Sequence, residues 1–182
     1  MTCRNGKAKL LEPSKLAQFE QIVLSHLDAA YNLARWLTRD DRDAEDVVQE
    51  SCLRALQYFD GYRGGDGRAW LLTIVRHTCF SWLHKNRAPQ VVSFDDEAYD
   101  VEVENGPEAQ LLAHVDQQTL RKALEELPLE FREVIVLREL EELSYKEIAH
   151  IANIPIGTVM SRLARARKQL QLRLTRPEVK EG

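Results

Sequence analysis

Between residues 154 and 176 the chain carries six basic residues and no acidic one, although its formal net charge is −4. Four of the six, Arg162, Arg165, Arg167 and Lys168, fall within seven consecutive positions. Guanidinium groups at this density hold phosphates, and they can address the guanine edge in bidentate fashion. On helical spacing Ile156, Val159, Leu163, Ala166 and Leu170 share a face directed into the domain. Gly157, Ser161, Ala164, Arg165 and Lys168 fall opposite, flanked by Met160, Arg162 and Arg167, with Thr158 completing the set. Small outward residues let a helix approach base edges in a major groove. Taken alone, a basic amphipathic helix is as readily a solvated face. What precedes it decides the matter. Ser144 and Glu147 form an S-x-x-E capping box that starts a helix at Tyr145, with Ile148, Ala149 and Ile151 or Ala152 inward. Asn153 then stands at a tight turn, and Pro155 opens the next helix. Two helices joined in this way predict a helix-turn-helix that binds DNA.

A second set lies on a predicted helix from Arg68 to Asn86. Its outward face holds Thr73, Arg76, Phe80 and His84, with His77 beside it and Lys85 near the end. Basic side chains beside an exposed aromatic suit single-stranded DNA, where bases stack and phosphates pair. The plainer alternative is that Phe80 packs on a neighbour and His77 is a surface histidine. A third set, Asp46, Gln49, Glu50 and Leu53, places carboxylates around one leucine. That mixture suits a protein interface, and a merely polar helix face is the equal alternative.

Catalysis finds no support. Histidines at 26, 77, 84, 114 and 150 have no metal-ligand or triad partner at informative spacing. The glycine-rich run 61–67 lacks the phosphate-binding pattern and has no strand before it. No enzyme activity, metal or cofactor is therefore expected. Three scattered cysteines argue against a disulfide framework, and Cys52 and Cys79 read as core thiols.

The elements that must position these sets are all helical. A first helix is expected from Ser14, as N-cap, to about Thr38, with Leu16, Phe19, Ile22, Val23, Leu27, Ala30, Leu33 and Leu37 inward. A second is expected over about 43–59, burying Ala44, Val47, Val48, Cys52, Ala55, Leu56 and Phe59. The third, 68–86, turns Leu71, Ile74, Val75, Thr78, Trp82 and Leu83 toward the core, and Trp70 also reads as core. A further helix covers about 108–126, and another starts at Pro128. Residues 89–116 contain eight acidic and no basic residues. The segment around 88–107 reads as a flexible, solvated linker. The fold class is all-α: two small helical domains, 14–87 and 108–176, joined by the acidic linker 88–107, with tails 1–13 and 177–182. Nothing resembles a secretory leader or a spanning helix, so a cytoplasmic location is expected. The arrangement of the two domains stays open, with compact packing expected for an inhibited form and an extended one for a working form.

Three segments in order carry a resemblance over nearly the whole chain. "DAEDVVQESCLRAL" resembles the core-polymerase-binding helix of extracytoplasmic-function (ECF) sigma factors, within the sigma-70 family. "GRAWLLTIVRHTCFSWLHKNR" resembles their promoter-melting segment, and "LPLEFREVIVLRELEELSYKEIAHIANIPIGTVMSRLARARKQL" is similar to their DNA-binding domain. The resemblance implies a bacterial transcription initiation factor with a sigma-2-like and a sigma-4-like domain. Such a factor binds RNA polymerase core, recognises the −35 and −10 promoter elements, assists DNA opening and is held in check by an anti-sigma factor.

Carried over, Asp46, Gln49, Glu50 and Leu53 would meet the clamp helices of the largest polymerase subunit. Thr73, Arg76, His77, Phe80, His84 and Lys85 would serve the −10 region. Gly157, Thr158, Met160, Ser161, Arg162, Ala164, Arg165, Arg167 and Lys168 would serve the −35 element. His77 replaces the asparagine of many relatives, which leaves the preferred base open. Met160 and Ala164 replace larger or basic side chains, so specificity would rest on Ser161, Arg165, apolar contact and DNA shape. The competing readings are a sigma-like decoy that binds an anti-sigma protein without touching DNA, and a one-domain dimeric regulator. Retention of the basic set weighs against the decoy, and residues 43–87 are surplus to the regulator.

Overall fold

The computed structural model describes residues 12–86 and 117–175, all of it helix and connecting turns. The expected linker at 88–107, the 177–182 tail, most of the 1–13 tail and the start of the helix expected at 108–126 lie outside the described residues. The elements are α1 (Pro13–Ser25), α2 (Leu27–Thr38), α3 (Asp41–Tyr58), a 3-10 turn (Phe59–Gly61) and α4 (Gly67–Asn86). After the gap come α5 (Gln117–Glu125), α6 (Leu129–Ile135), a π-helical turn (Val136–Leu140), α7 (Tyr145–Ala152) and α8 (Ile156–Thr175).

The single helix expected over 14–38 is two. The ladder breaks at His26, whose φ of −124° is not helical and whose N–H bonds only to Val23 O at 3.2 Å. The break re-aims α1, because its apolar stripe and that of α2 serve different neighbours. In α2, Ala30, Leu33, Ala34 and Leu37 are sealed against α3 and α4. In α1 only Val23 is buried, while Phe19 meets Phe59 edge-on with ring centroids 5.3 Å apart. Leu16, in the first turn of α1, and Leu27, the first residue of α2, both expected inside, remain exposed. The N-terminal cap position belongs to Glu12, not Ser14, with Pro13 at the first helical position.

Local chemistry sets the other boundaries of this half. Arg39 takes a left-handed φ of 62° to close α2, and Asp40 then caps α3, accepting from Arg42 N at 2.9 Å and Asp43 N at 3.0 Å. Beyond α3, Phe59, Tyr62 and Trp70 form an aromatic cluster with centroids 5.0–5.8 Å apart. Gly64 and Gly65, at φ of 87° and 103°, let the loop fold back so that Tyr62 Oη donates to Gly65 O at 2.9 Å. Asp66 caps α4 by accepting from Arg68 N and Ala69 N at 2.9 and 3.2 Å. A Cβ on Gly67 would stand 2.9 Å from Ile22 Cγ2, so any larger residue there would have to displace the Ile22 side chain where α1 crosses α4. Leu56 and Cys52, expected in the core, are respectively exposed and half-buried, since they lie at the margin of the α3 inner face.

In the second half Leu127, Val134, Leu137, Ile148, Ile151, Val159, Leu163 and Ala166 make the core. Pro128 is the N-cap of α6 and not its first residue, with an extended ψ of 148°. Arg132 is buried, and its Nη1 donates to Glu125 O at 2.7 Å and Leu127 O at 3.2 Å, which fixes the α5–α6 turn. Sequence periodicity gives no sign of the π-helical turn, where Glu141 N reaches back to Val136 O at 3.1 Å.

The two halves are closed on each other. α4 lies against α7, and α2 against α6 and the π-helical turn, so that one buried apolar cluster runs from Ala30 to Leu170. Polar ties cross the seam as well. Glu141, nearly buried, accepts from Asn32 Nδ2 at 2.9 Å and from Arg68 Nη2 at 2.6 Å. Arg35 reaches Glu125 at 3.6 Å.

Candidate nucleic-acid and protein interfaces

The helix-turn-helix is built as its sequence requires. Ser144 Oγ accepts from Glu147 N at 3.3 Å while Ser144 N donates to Glu147 Oε2 at 2.7 Å, so both arms of the capping box are made. Asn153 adopts φ of 54° and ψ of 49°, the left-handed turn that separates α7 from α8. In α8, Val159, Leu163, Ala166 and Leu170 are buried. Ile156, expected on this inner face, is instead exposed, because it precedes the point where α8 meets its neighbours and stands one turn before exposed Met160.

The remaining face of α8 holds the predicted DNA set. Gly157, Met160 and Lys168 are exposed, and a Cβ on Gly157 would meet nothing within 4 Å. Thr158, Ser161, Arg162, Ala164, Arg165 and Arg167 are half-buried. Ser161 Oγ donates to Thr158 O at 3.1 Å, and Arg167 Nη2 donates to Glu139 Oε1 at 2.7 Å. Arg165 Nε is buried without a hydrogen-bond partner.

The α4 set departs further from expectation. His77, His84 and Lys85 are exposed, but Thr73 and Phe80 are half-buried, and Thr73 Oγ1 donates to Ala69 O at 2.7 Å. Arg76, expected to face outward, is largely covered: its Nε donates to Glu133 of α6, and its guanidinium lies over the Phe80 ring at 4.4 Å. The reason is the closure of the halves, which brings a carboxylate with no solvent exposure onto this helix. Partial desolvation and the Arg76 charge lower the His77 pKa from its ordinary 6.5, which favours the neutral ring. Beside this face a groove of about 480 Å³ runs along the seam, lined by Arg63 and Asp66 of the loop, Thr73 of α4, and Lys146 and His150 of α7.

On α3 the third set stands clear. Asp46, Gln49, Glu50 and Leu53 are all exposed, Leu53 by 57%, and Glu50 accepts from Arg54 Nε at 2.7 Å. Leu56 and Tyr58, nearer the end of α3, are exposed as well. Sequence reasoning missed them because Leu56 fits the core spacing as well as it fits the outer face. Among the described residues no group of three His, Cys, Asp or Glu side chains could hold a metal, and no helix is long and apolar enough to cross a membrane.

Comparison with known proteins follows this division. The model of Sigma-70 region 2 matches residues 22–88, and that of Sigma-70 region 4 matches residues 117–170. The chain is 30% identical over 162 residues to the ECF RNA polymerase sigma factor SigE of Mycolicibacterium smegmatis, covering 88% of this chain and 63% of that protein's length. It is 34% identical to the ECF RNA polymerase sigma-E factor of Haemophilus influenzae, covering 76% of this chain and 77% of that one. With the RNA polymerase sigma factor SigV of Bacillus subtilis it shares 32% identity over 86% of this chain and 91% of that one. Among solved structures, the sigma factor RpoE of Bartonella quintana, in complex with the anti-sigma factor NepR, matches with a TM-score of 0.67 and 34% identity, covering 86% of this chain and 96% of that one. Helical architecture, the order of the two regions and these relatives agree, and the chain belongs to the ECF RNA polymerase sigma factors of the sigma-70 family.

Proposed function

We propose that the chain initiates transcription as a dissociable subunit of bacterial RNA polymerase, acting in the cytoplasm. Residues 14–87 dock on the clamp helices of the largest core subunit through Asp46, Gln49, Glu50 and Leu53. The α4 face, with Thr73, Arg76, His77, Phe80, His84 and Lys85, meets the −10 strand as it separates. Residues 108–176 place α8 in the major groove of the −35 element, where Ser161 and Arg165 read bases while Arg162, Arg167 and Lys168 hold phosphates. An anti-sigma protein holds the factor in check; its relative RpoE forms a complex with the anti-sigma factor NepR, which supports this part of the reading.

The observation that carries the reading is the exposed α3 face on a helix whose opposite face is sealed, on the same chain as a correctly capped helix-turn-helix. Exposed leucine among carboxylates is poorly placed in water and well placed in a protein interface. Run-off transcription with purified core polymerase on genomic fragments tests it. Specific transcripts that vanish without the chain are expected, and failure to associate with core removes the proposal. Arg165→Ala should weaken holoenzyme retention on promoter DNA in a salt-controlled gel-shift while leaving core binding intact. Equal retention would remove Arg165 from the set that meets DNA.

A further inference from the structure

The seam between the halves holds a group that neither DNA binding nor polymerase docking uses. Glu133 of α6 is fully buried, and its Oε1 accepts from Arg76 Nε of α4. Its second oxygen, Oε2, has no hydrogen-bond partner. The positive charge of Arg162, on α8, and the negative charge of Glu130 also act on it, and its own charge reaches the Cys79 thiol of α4. A single carboxylate is thus set among arginines drawn from both of the surfaces proposed to meet DNA.

We propose that Glu133 is an internal substitute for a DNA phosphate, so that the closed arrangement and DNA binding by α4 exclude each other. The chemistry is that of competition. With its side chain only 15% exposed and its charge countered by a buried carboxylate, the Arg76 guanidinium offers little to a phosphate, and the Phe80 face beneath it, at 4.4 Å, is covered against a base. Closure therefore withdraws both residues from single-stranded DNA, with Glu141 and its Asn32 and Arg68 partners holding the same seam from the other end.

The contact is poised and not locked. Burial pushes the Glu133 carboxyl upward, while the Arg76 charge and hydrogen bond and the Arg162 charge pull it back. A buried ion pair loses in desolvation much of what it gains in attraction, so opening, which hydrates both partners, is not heavily opposed by this pair. Removing one partner is different, because it strands a charge in the seam.

Charge swapping tests the inference on the full chain by small-angle X-ray scattering. It rests on the reading of α4 as a DNA-binding face, but scattering reads shape and not DNA, so failure here is separable from failure of run-off transcription. Arg76→Glu sets two carboxylates against each other, and Glu133→Lys sets three cations together; each should open the halves. The radius of gyration should then rise by at least about one fifth above that of the wild type, for which a compact chain of this length gives ~16 Å. The double variant Arg76→Glu, Glu133→Lys restores opposite charges and should close again. Arg76 is on the margin of its own half, so that R76E alone keeps the test decisive if E133K loses helicity. Singles as compact as the wild type, or a double variant as expanded as the singles, overturn the inference. With E133K folded, its affinity for a single-stranded oligonucleotide should rise about tenfold over the wild type, and an unchanged affinity would also overturn it.

Discussion

The Arg68–Glu141 tie offers the most direct measure of whether the halves close in solution as the structure has them. Glu141 is 5% exposed and accepts two hydrogen bonds, from Arg68 Nη2 at 2.6 Å and from Asn32 Nδ2 at 2.9 Å. Charge-assisted hydrogen bonds contribute about 1.5–3 kcal/mol when fully buried. Arg68 keeps 31% exposure, and water screens that fraction of the attraction. A coupling energy of roughly 1–2 kcal/mol is therefore expected, a five- to thirty-fold shift in the equilibrium. The assay is a double-mutant cycle of wild type, Arg68→Ala, Glu141→Ala and the double variant in urea, followed by the tryptophan fluorescence of Trp36 on α2 and of Trp70 and Trp82 on α4. Arg68→Ala should cost more than the coupling itself, since it leaves Glu141 nearly buried with only Asn32 as partner. A coupling below about 0.3 kcal/mol, the value of an exposed and unconstrained pair, would refute the closed arrangement.

Other perturbations test single elements. Ser144→Ala removes the acceptor for Glu147 N and should cost about 1 kcal/mol in thermal unfolding, with Ser144→Asp losing much less. Leu53→Asp, on an exposed position, should leave far-UV circular dichroism unchanged and weaken core-polymerase binding about tenfold or more, as loss of an interface anchor does. Leu163→Ala on the buried face of α8 should cost about 2–5 kcal/mol, read by the urea midpoint. Burial first, and then the charge of Glu133, push the Cys79 thiol up to about 12 from an ordinary 9.0. A raised value in the folded state means that this contribution is whole below pH 9 and is lost as pH rises from about 9 toward about 12. Cys79→Ala should therefore lose less stability than the wild type between about pH 8 and about pH 10, by roughly 1 kcal/mol. Equal losses would show that the thiol is reached by water.

How much of this was legible in the residues follows from what kind of interaction decides each feature. The capping box, the left-handed Asn153 and the buried stripe of α8 are local, and a few neighbouring side chains determine them. The exposure of Asp46, Gln49, Glu50 and Leu53 follows from periodicity, because α3 has one apolar face to bury. His26, by contrast, interrupts a helix whose apolar rhythm runs straight through it; only the different neighbours of α1 and α2 demand the bend. Arg76 is the clearest case. Its spacing on α4 is that of an outward residue, and it would be one if the first half stood alone. Glu133 lies 57 residues further on, and no pattern short of the closed tertiary structure joins the two. Burial of Glu133 and Arg132 in succession within α6 is equally opaque to a hydropathy reading, since each is held by partners in other elements or turns.

Gly157 stands in the first turn of α8 where an added methyl group would touch nothing, and Met160 is exposed one turn on, while Val159 and Leu163 between and beyond them are sealed. The residues that hold the fold and those proposed to choose the target thus occupy interleaved positions of one helix. Exchanges at the exposed positions Gly157, Met160 and Lys168 are nearly free of thermodynamic penalty, as for most solvent-facing sites. A lineage could re-tune which genes it switches on through such changes, drifting from one regulatory vocabulary to another without ever passing through an unstable ancestor.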